Sequence, residues 1–223
     1  MTISKPWDWQ KGTDPIWKDP TEESYYYAQR WQKAGYKELL DFGCGLGRHA
    51  IFFAKQGFQV SAFDLAEGAV DSLREWAQAE KLTVDVRQAD MLHLAYPDNR
   101  FDCIFSYNVI SHTDSKGARQ IMGEIRRVLR PGGEIFLTLC SKETWSFKDA
   151  GFPKIDESTV IRLVEGPEMG VPHFFVNLEE IAPLMEGFEL LKIRDINDCF
   201  PHNGSGGVHY FITACKPADA AER

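Results

Sequence analysis

Short apolar runs alternate along the chain with longer stretches in which apolar residues recur three and four positions apart. The runs read as strands and the longer stretches as amphipathic helices. Asp19-Pro20-Thr21-Glu22 opens the first helix, with Asp19 as its cap and Pro20 at the first helical position, and the pattern carries it to about Ala34. KELLDF follows as a strand, then a glycine turn and a helix through Phe53 and Ala54 to Gly57. FQVSAFD is a second strand ending in Asp64, AEGAVDSLREWAQAEK a helix, and TVDVRQAD a third strand ending in Asp90. FDCIFSYN gives a fourth strand, from Phe101 to Asn108.

The stripe Ala118, Ile121, Met122, Ile125, Val128, Leu129 predicts a further helix, stopped by Arg130-Pro131-Gly132-Gly133 before the strand EIFLTLC. Residues 141–176 read as an irregular insertion. Asn177-Leu178-Glu179-Glu180 caps another helix, which Pro183 shortens or bends. FELLKIRDI and GVHYFITACK are the last two strands, antiparallel because no helix separates them. The alternation implies βαβ units and a doubly wound, mainly parallel seven-stranded α/β sheet with helices on both faces and an antiparallel last strand. Residues 1–216 form one domain and 217–223 a frayed tail.

In such a sheet a ligand sits beyond the carboxyl ends of the strands. Gly43, Asp64, Asp90 and Asn108 all fall there. The first strand runs into LLDFGCGLGRHA, with Gly43, Gly45 and Gly47 at alternate positions. A phosphate-binding loop needs G-x-x-x-x-G-K-[ST], which Arg48-His49 does not supply. The dinucleotide fingerprint G-x-G-x-x-G needs glycine where this chain has Arg48. Asp64, ending the second strand, suits the ribose hydroxyls of either a dinucleotide or a sulfonium nucleoside.

Five ordered segments resemble the class I S-adenosylmethionine-dependent methyltransferases, in particular their small-molecule type 11/25-like group. They are LLDFGCGLGRHA, FDLA with Asp64, QADM with Asp90 and Met91, FDCIFSYNVISH, and RRVLRPGGEIFLTL. The resemblance covers about residues 37 to 140 closely and the last two strands in outline. It implies a Rossmann-like fold, S-adenosylmethionine as cofactor and methyl transfer to a small molecule, with S-adenosylhomocysteine as the product. Gly43, Gly45 and Gly47 would let backbone approach the methionine part, Asp64 would accept from the ribose, and Asp90 would meet the adenine amino group. Leu65 and Met91 would flank the adenine ring, and Asn108 would lie near the methionine end. Asp41 either belongs to the cofactor site or orients the glycine loop. Ala66 stands where relatives often carry a capping side chain, so the helix after Asp64 should be less well capped.

Net charge is -8, and no tract of Lys and Arg stands out, which argues against nucleic acid as a partner. Cys44, Cys103, Cys140, Cys199 and Cys215 are widely separated and form no C-x-x-C pair, so a disulfide framework is not expected. No apolar run reaches the roughly 20 residues that cross a bilayer. Residues 1–11 lack the apolar core of a signal peptide, which gives a cytoplasmic expectation. Trp7, Trp9, Trp17, Trp31 and the run Tyr25-Tyr26-Tyr27 crowd the beginning of the chain. In the family, residues corresponding to 1–35 and 141–176 form a lid over the acceptor, so Trp17, Tyr25 and Tyr26 are candidate lid or cofactor contacts.

Six histidines are present: His49, His93, His112, His173, His202 and His209. His112, His173 and His209 are candidate bases for an acceptor hydroxyl or thiol, although a structural role is the more common one for each. No His, Cys or Asp cluster has metal-ligand spacing along the chain, so no metal is expected. A non-catalytic cofactor-binding sensor or accessory protein would keep the same glycines and Asp64, and a nicotinamide-dependent oxidoreductase would share Asp64 but not Arg48.

Overall fold

The structure is a computed structural model that describes residues 2, 4–12, 14–198 and 207–218. Cys199, His202 and the tail beyond 218 lie outside the described residues. Strands β1 (Glu38–Phe42), β2 (Gln59–Asp64), β3 (Val84–Gln88), β4 (Phe101–Ser106) and β5 (Leu129–Ser141) alternate with helices α1 (Glu22–Lys33), α2 (Arg48–Lys55), α3 (Glu67–Ala79) and α4 (Ser115–Val128). After β5 come α5 (Trp145–Lys148), β6 (Lys154–Asp156), β7 (Thr159–Ile161), β8 (Pro172–Val176) and α6 (Leu178–Leu184). The long strands β9 (Glu189–Asp198) and β10 (Gly207–Cys215) complete the chain.

The parallel run is β3-β2-β1-β4-β5, and β10 joins β5 antiparallel and carries β9 on its other edge. Alternation along the strands divides the core between two faces. Leu39, Cys103 and Phe105 point to the layer that holds Trp31 of α1, Phe53 of α2 and Leu73 of α3. Leu40, Phe42 and Ile104 point to the opposite layer, with Ile121 and Ile125 of α4 and Ile181 of α6. This is the expected doubly wound sheet.

Four sequence expectations are corrected. Helix α1 is capped at Thr21, not Asp19, and Pro20 lies before the helix. Asp90 and Asn108 stand in loops past the ends of β3 and β4, and Asn108 has φ 57°. The Pro131-Gly132-Gly133 segment does not follow the helix as a separate stop, because α4 already ends at Val128 and Leu129 pairs with Phe101 as β5 begins. Gly132 N donates to Lys216 O (2.8 Å) and Lys216 N to Gly133 O (3.0 Å), which holds this segment in place while Gly132 turns the chain at φ 76°. Residues 141–176 are not irregular: β8 pairs in parallel with the end of β5, and β7 and β6 extend it antiparallel.

Helix α1 is fastened to the sheet by more than apolar contact. Glu134 of β5 accepts from Arg30 Nε (2.8 Å), Arg30 Nη2 (2.7 Å) and Trp31 Nε1 (3.0 Å). Trp31 is fully buried, and Tyr27 stacks on Phe136 with ring centroids 4.5 Å apart. Without Glu134, the indole N–H and the guanidinium lose their acceptor together. Glu134→Ala should therefore lower stability in urea unfolding by about 1–3 kcal/mol, and Glu134→Gln by less. A Glu134→Ala variant as stable as the parent would show that apolar packing alone holds α1.

Candidate functional site

The glycine turn after β1 adopts a conformation that side chains resist. Gly43, Gly45 and Gly47 have φ of 73°, 51° and 99°. A side chain at Gly43 would meet Val109 at 2.3 Å, one at Gly45 would meet Trp9 at 2.6 Å, and one at Gly47 would meet Leu73 of α3 at 2.4 Å. Gly43 and Gly45 therefore leave room at a cleft, whereas Gly47 serves the close packing of α2 on α3. Gly47 does not line the cleft.

Asp64 ties this turn to the next one. Its Oδ2 accepts from Gly45 N (2.9 Å) and its Oδ1 from Ala66 N (2.9 Å). The second bond supplies what Ala66 cannot, since the cap residue of α3 makes no side-chain bond of its own. Burial raises the Asp64 pKa, opposed by the backbone N–H groups of Ala66, Gly45 and Leu65.

The cleft opens beyond the carboxyl ends of β1, β2 and β4. Gly43, Gly45 and Asp64 line one end, and Leu65 and Met91 give it apolar walls. Asn108 lines it where Thr138 Oγ1 donates to its Oδ1 (2.9 Å) and accepts from its backbone N (2.7 Å). His112 and Glu168 line the other end. Asp90 is not among the lining residues. Its Oδ1 accepts from Leu92 N (2.9 Å) and Ser4 Oγ (3.3 Å), which sets the loop carrying Ala89 and Met91 into the wall.

The roof comes from the beginning of the chain. Trp7, Trp9 and Trp17 contact one another with ring centroids 5.0–5.6 Å apart, and all three line the cleft. Arg48 holds this segment down by donating to Ile16 O (3.0 Å) and Asp19 O (3.3 Å) with its guanidinium over Trp17. Asp8 N donates to Pro167 O (3.1 Å) and Lys5 Nζ to Met169 O (2.9 Å), joining the roof to the loop that carries Glu168. The indole nitrogens of Trp7 and Trp9 are buried with no hydrogen-bond partner among the described residues.

Tyr25 and Tyr26 do not belong to this site. They project from α1 with 53% and 54% exposure; Tyr25 packs on Phe52 and Tyr26 on Tyr27. The helical period turns them away from the cleft. His49 is structural: its Nε2 lies 3.1 Å from Thr21 Oγ1, and burial holds its pKa well below the usual value. His209 lies across from Cys140 in the β10–β5 register. Despite burial, each keeps the other's charged form favoured, so the thiol is lowered and the imidazole raised. Neither lines the cleft.

The fold also assembles a group that spacing along the chain does not reveal. His112, Glu168 and His173 each place one side-chain nitrogen or oxygen atom within 4.8 Å of the others. His112 Nε2 is 3.9 Å from Glu168 Oε1, and His173 Nε2 is 3.7 Å from Glu168 Oε2. Burial lowers the His112 pKa to about 3. Against burial, which pushes a carboxyl up, His173, His112 and Arg162 hold Glu168 down at about 2. Trp7 packs on the His112 ring, centroids 5.1 Å apart, joining this group to the roof. Glu168, Trp7 and Trp9 were not singled out by sequence. The crowding of aromatic residues near the beginning of the chain was the one signal for the two tryptophans.

Asp41 lies under the glycine turn, buried to 2% exposure, and does not face the cleft. Burial pushes its pKa up to about 7, partly offset by the Ala50 backbone N–H and Arg48. Between pH ~4 and pH ~7 the folded state thus binds a proton that the unfolded chain has released, and stability falls as pH rises through that window. From pH 5 to pH 8 the ligand-free protein should lose on the order of 2–3 kcal/mol more unfolding free energy than Asp41→Asn. Parallel pH profiles for the two proteins would remove Asp41 as the source.

Residues 39–133, from β1 through the start of β5, match the methyltransferase domain family. The chain is 34% identical over 131 residues to Methyltransferase GfsG of Streptomyces halstedii, a match covering 55% of this chain and 46% of that protein. It spans about half the length of the curated relatives it matches. An S-adenosylmethionine-dependent methyltransferase from Methanosarcina mazei has the same fold, with a TM-score of 0.73 at 20% identity over 90% of this chain and 100% of that one. The 1,6-didemethyltoxoflavin-N1-methyltransferase of Burkholderia thailandensis, solved with 1,6-didemethyltoxoflavin and S-adenosylhomocysteine, gives 0.66 at 20% identity over 94% of this chain and 84% of that one. In this matched segment, in the sheet order around it and in the glycine turn tied to Asp64, the chain is similar to the S-adenosylmethionine-dependent methyltransferases, whose fold it shares.

Proposed function

We propose that this chain transfers a methyl group from S-adenosylmethionine to a small-molecule acceptor. The observation that carries the reading is a single cleft that runs from the glycine turn and Asp64 to His112 and Glu168 beneath a tryptophan roof. Its residues fit the cofactor. Gly43 and Gly45 leave backbone open at the end assigned to the methionine part, beside Asn108. Asp64 carries a charge and lone pairs beyond its two backbone bonds for the ribose hydroxyls. Leu65 and Met91 offer apolar faces to the adenine ring, and Asp90 sets the loop that carries Met91. The partnerless indole N–H groups of Trp7 and Trp9 gain acceptors when a polar ligand fills the cleft.

When bound, the cofactor supplies a methyl group already activated on a sulfonium centre. The chain is left to orient the acceptor and exclude water, and proximity of this kind supplies much of the rate in such displacements. The acceptor enters at the His112–Glu168 end. A roof of three indoles and a contiguous wall from the Glu168 loop suit a compact acceptor over a polymer, and the acidic net charge of -8 runs the same way. Trp7, Trp9 and Trp17 also offer π faces to a sulfonium cation.

Label should pass from methyl-labelled S-adenosylmethionine to a small-molecule acceptor pool and remain absent from added RNA and protein. Label found only in a macromolecular fraction would overturn the acceptor class. Asp64→Asn, which keeps the side-chain shape and removes the charge, should weaken S-adenosylhomocysteine binding by about 1.5–3 kcal/mol, a factor of about ten or more. Calorimetry that gives equal affinities for a folded Asp64→Asn and the parent would take the ribose role from Asp64.

A further inference from the structure

We propose that His112, Glu168 and His173 hold one divalent first-row transition-metal ion at the acceptor end of the cleft. The three come from separate segments: the loop after β4, the loop before β8, and β8 itself. His173 is 4% exposed, and its Nδ1 lies 3.0 Å from Val171 O, so Nδ1 carries the proton and Nε2 presents a lone pair. That Nε2 is buried, has no hydrogen-bond partner among the described residues, and faces Glu168 Oε2 at 3.7 Å.

A lone pair facing a carboxylate oxygen needs a positive centre between them. At 3.7 Å the gap is too long for a shared proton. The same holds for the 3.9 Å between His112 Nε2 and Glu168 Oε1. Two ligands on one tetrahedral ion with bonds of about 2.0–2.1 Å stand roughly 3.3 Å apart, so an ion draws Glu168 and each imidazole together by about half an ångström and the two imidazoles, now within 4.8 Å, by up to about 1.5 Å.

The surroundings match what ligands require. The Val171 carbonyl fixes the His173 tautomer, and Arg162 Nε, 2.9 Å from Glu168 Oε2, orients the carboxylate. The positive charge of Arg162 opposes a second cation, so the site depends on Glu168 remaining its counter-charge. Two imidazoles and one carboxylate select Zn²⁺, Fe²⁺ or Co²⁺ over Mg²⁺ and Ca²⁺, which take oxygen ligands. Among the described residues three protein ligands converge, and two of them, His112 and Glu168, line the cleft. The remaining coordination position therefore faces the acceptor. An ion there would hold an acceptor hydroxyl or thiol and lower its pKa, so that the proton passes to water before the oxygen or sulfur attacks the methyl carbon, the methyl–sulfonium bond breaks and S-adenosylhomocysteine leaves. This catalytic role rests on the methyl-transfer reading, whereas metal binding does not.

The test uses the full chain, stripped with chelator and titrated with ZnCl₂ by calorimetry, with Co²⁺ absorption as a second readout. The parent should bind one Zn²⁺ per chain. Glu168→Gln and His112→Ala should each weaken that binding by a factor of about 100 or more while unfolding at temperatures near that of the metal-free parent. Should either variant unfold early, Co²⁺ spectra of the other decide, because losing one ligand changes the spectrum of a shared ion. Absence of stoichiometric binding by the parent, or equal affinity in the folded variants, overturns the proposal. S-adenosylhomocysteine titrated into the same stripped protein separates the two readings, since its binding does not require the ion.

Discussion

One carboxylate organises the glycine-turn end of the cleft. Asp64 closes β2, and its two oxygens fix the backbone on either side of the crevice: Gly45 in the turn after β1, and Ala66 at the start of α3. The glycine turn has positive φ at three alternate positions, a conformation with little intrinsic preference. The turn keeps its shape because Asp64 holds it from one side and Val109, Trp9 and Leu73 leave no space for side chains on the others. Removing water from this carboxylate costs free energy, which the backbone N–H groups offset, and a hydroxyl-bearing ligand offsets more.

The His112–Glu168 end of the cleft depends on contacts distant in sequence. The tryptophan roof carries no regular structure beyond two short 3₁₀ turns, Trp9–Lys11 and Pro15–Lys18. It stays in place through Arg48 of α2, through backbone and lysine bonds to the Glu168 loop, and through α1, which Glu134 anchors to β5. Short elements tied by a few polar bonds open at lower free energy than the sheet. The roof and the Glu168 loop are thus the parts of the fold suited to admitting and releasing ligand, while the glycine turn stays fixed.

The sheet and the glycine turn joined to Asp64 were legible because their signals are local. Apolar alternation marked the strands, the glycines fell where a strand gives way to a helix, and Asp64 stood one strand later. The errors arose where tertiary contact outweighs local pattern. Asp19-Pro20 reads as a helix start, yet Thr21 is the cap, with its hydroxyl 3.1 Å from His49 Nε2. Residues 141–176 look irregular because β6, β7 and β8 are short and rely on the end of β5 for a pairing partner. Tyr25 and Tyr26 carried no mark of the helix face they occupy relative to the cleft. Glu168 is one acid among many, and only the fold sets it between His112 and His173.

The central claim is that the glycine turn and Asp64 form a site for a sulfonium nucleoside and not for a dinucleotide. A calorimetric titration of the purified chain with S-adenosylhomocysteine, run beside NAD, tests it most directly. The account predicts one S-adenosylhomocysteine bound per chain and no heat from NAD beyond dilution. Binding of NAD alone would contradict it, and Arg48 would then belong to an unusual dinucleotide loop.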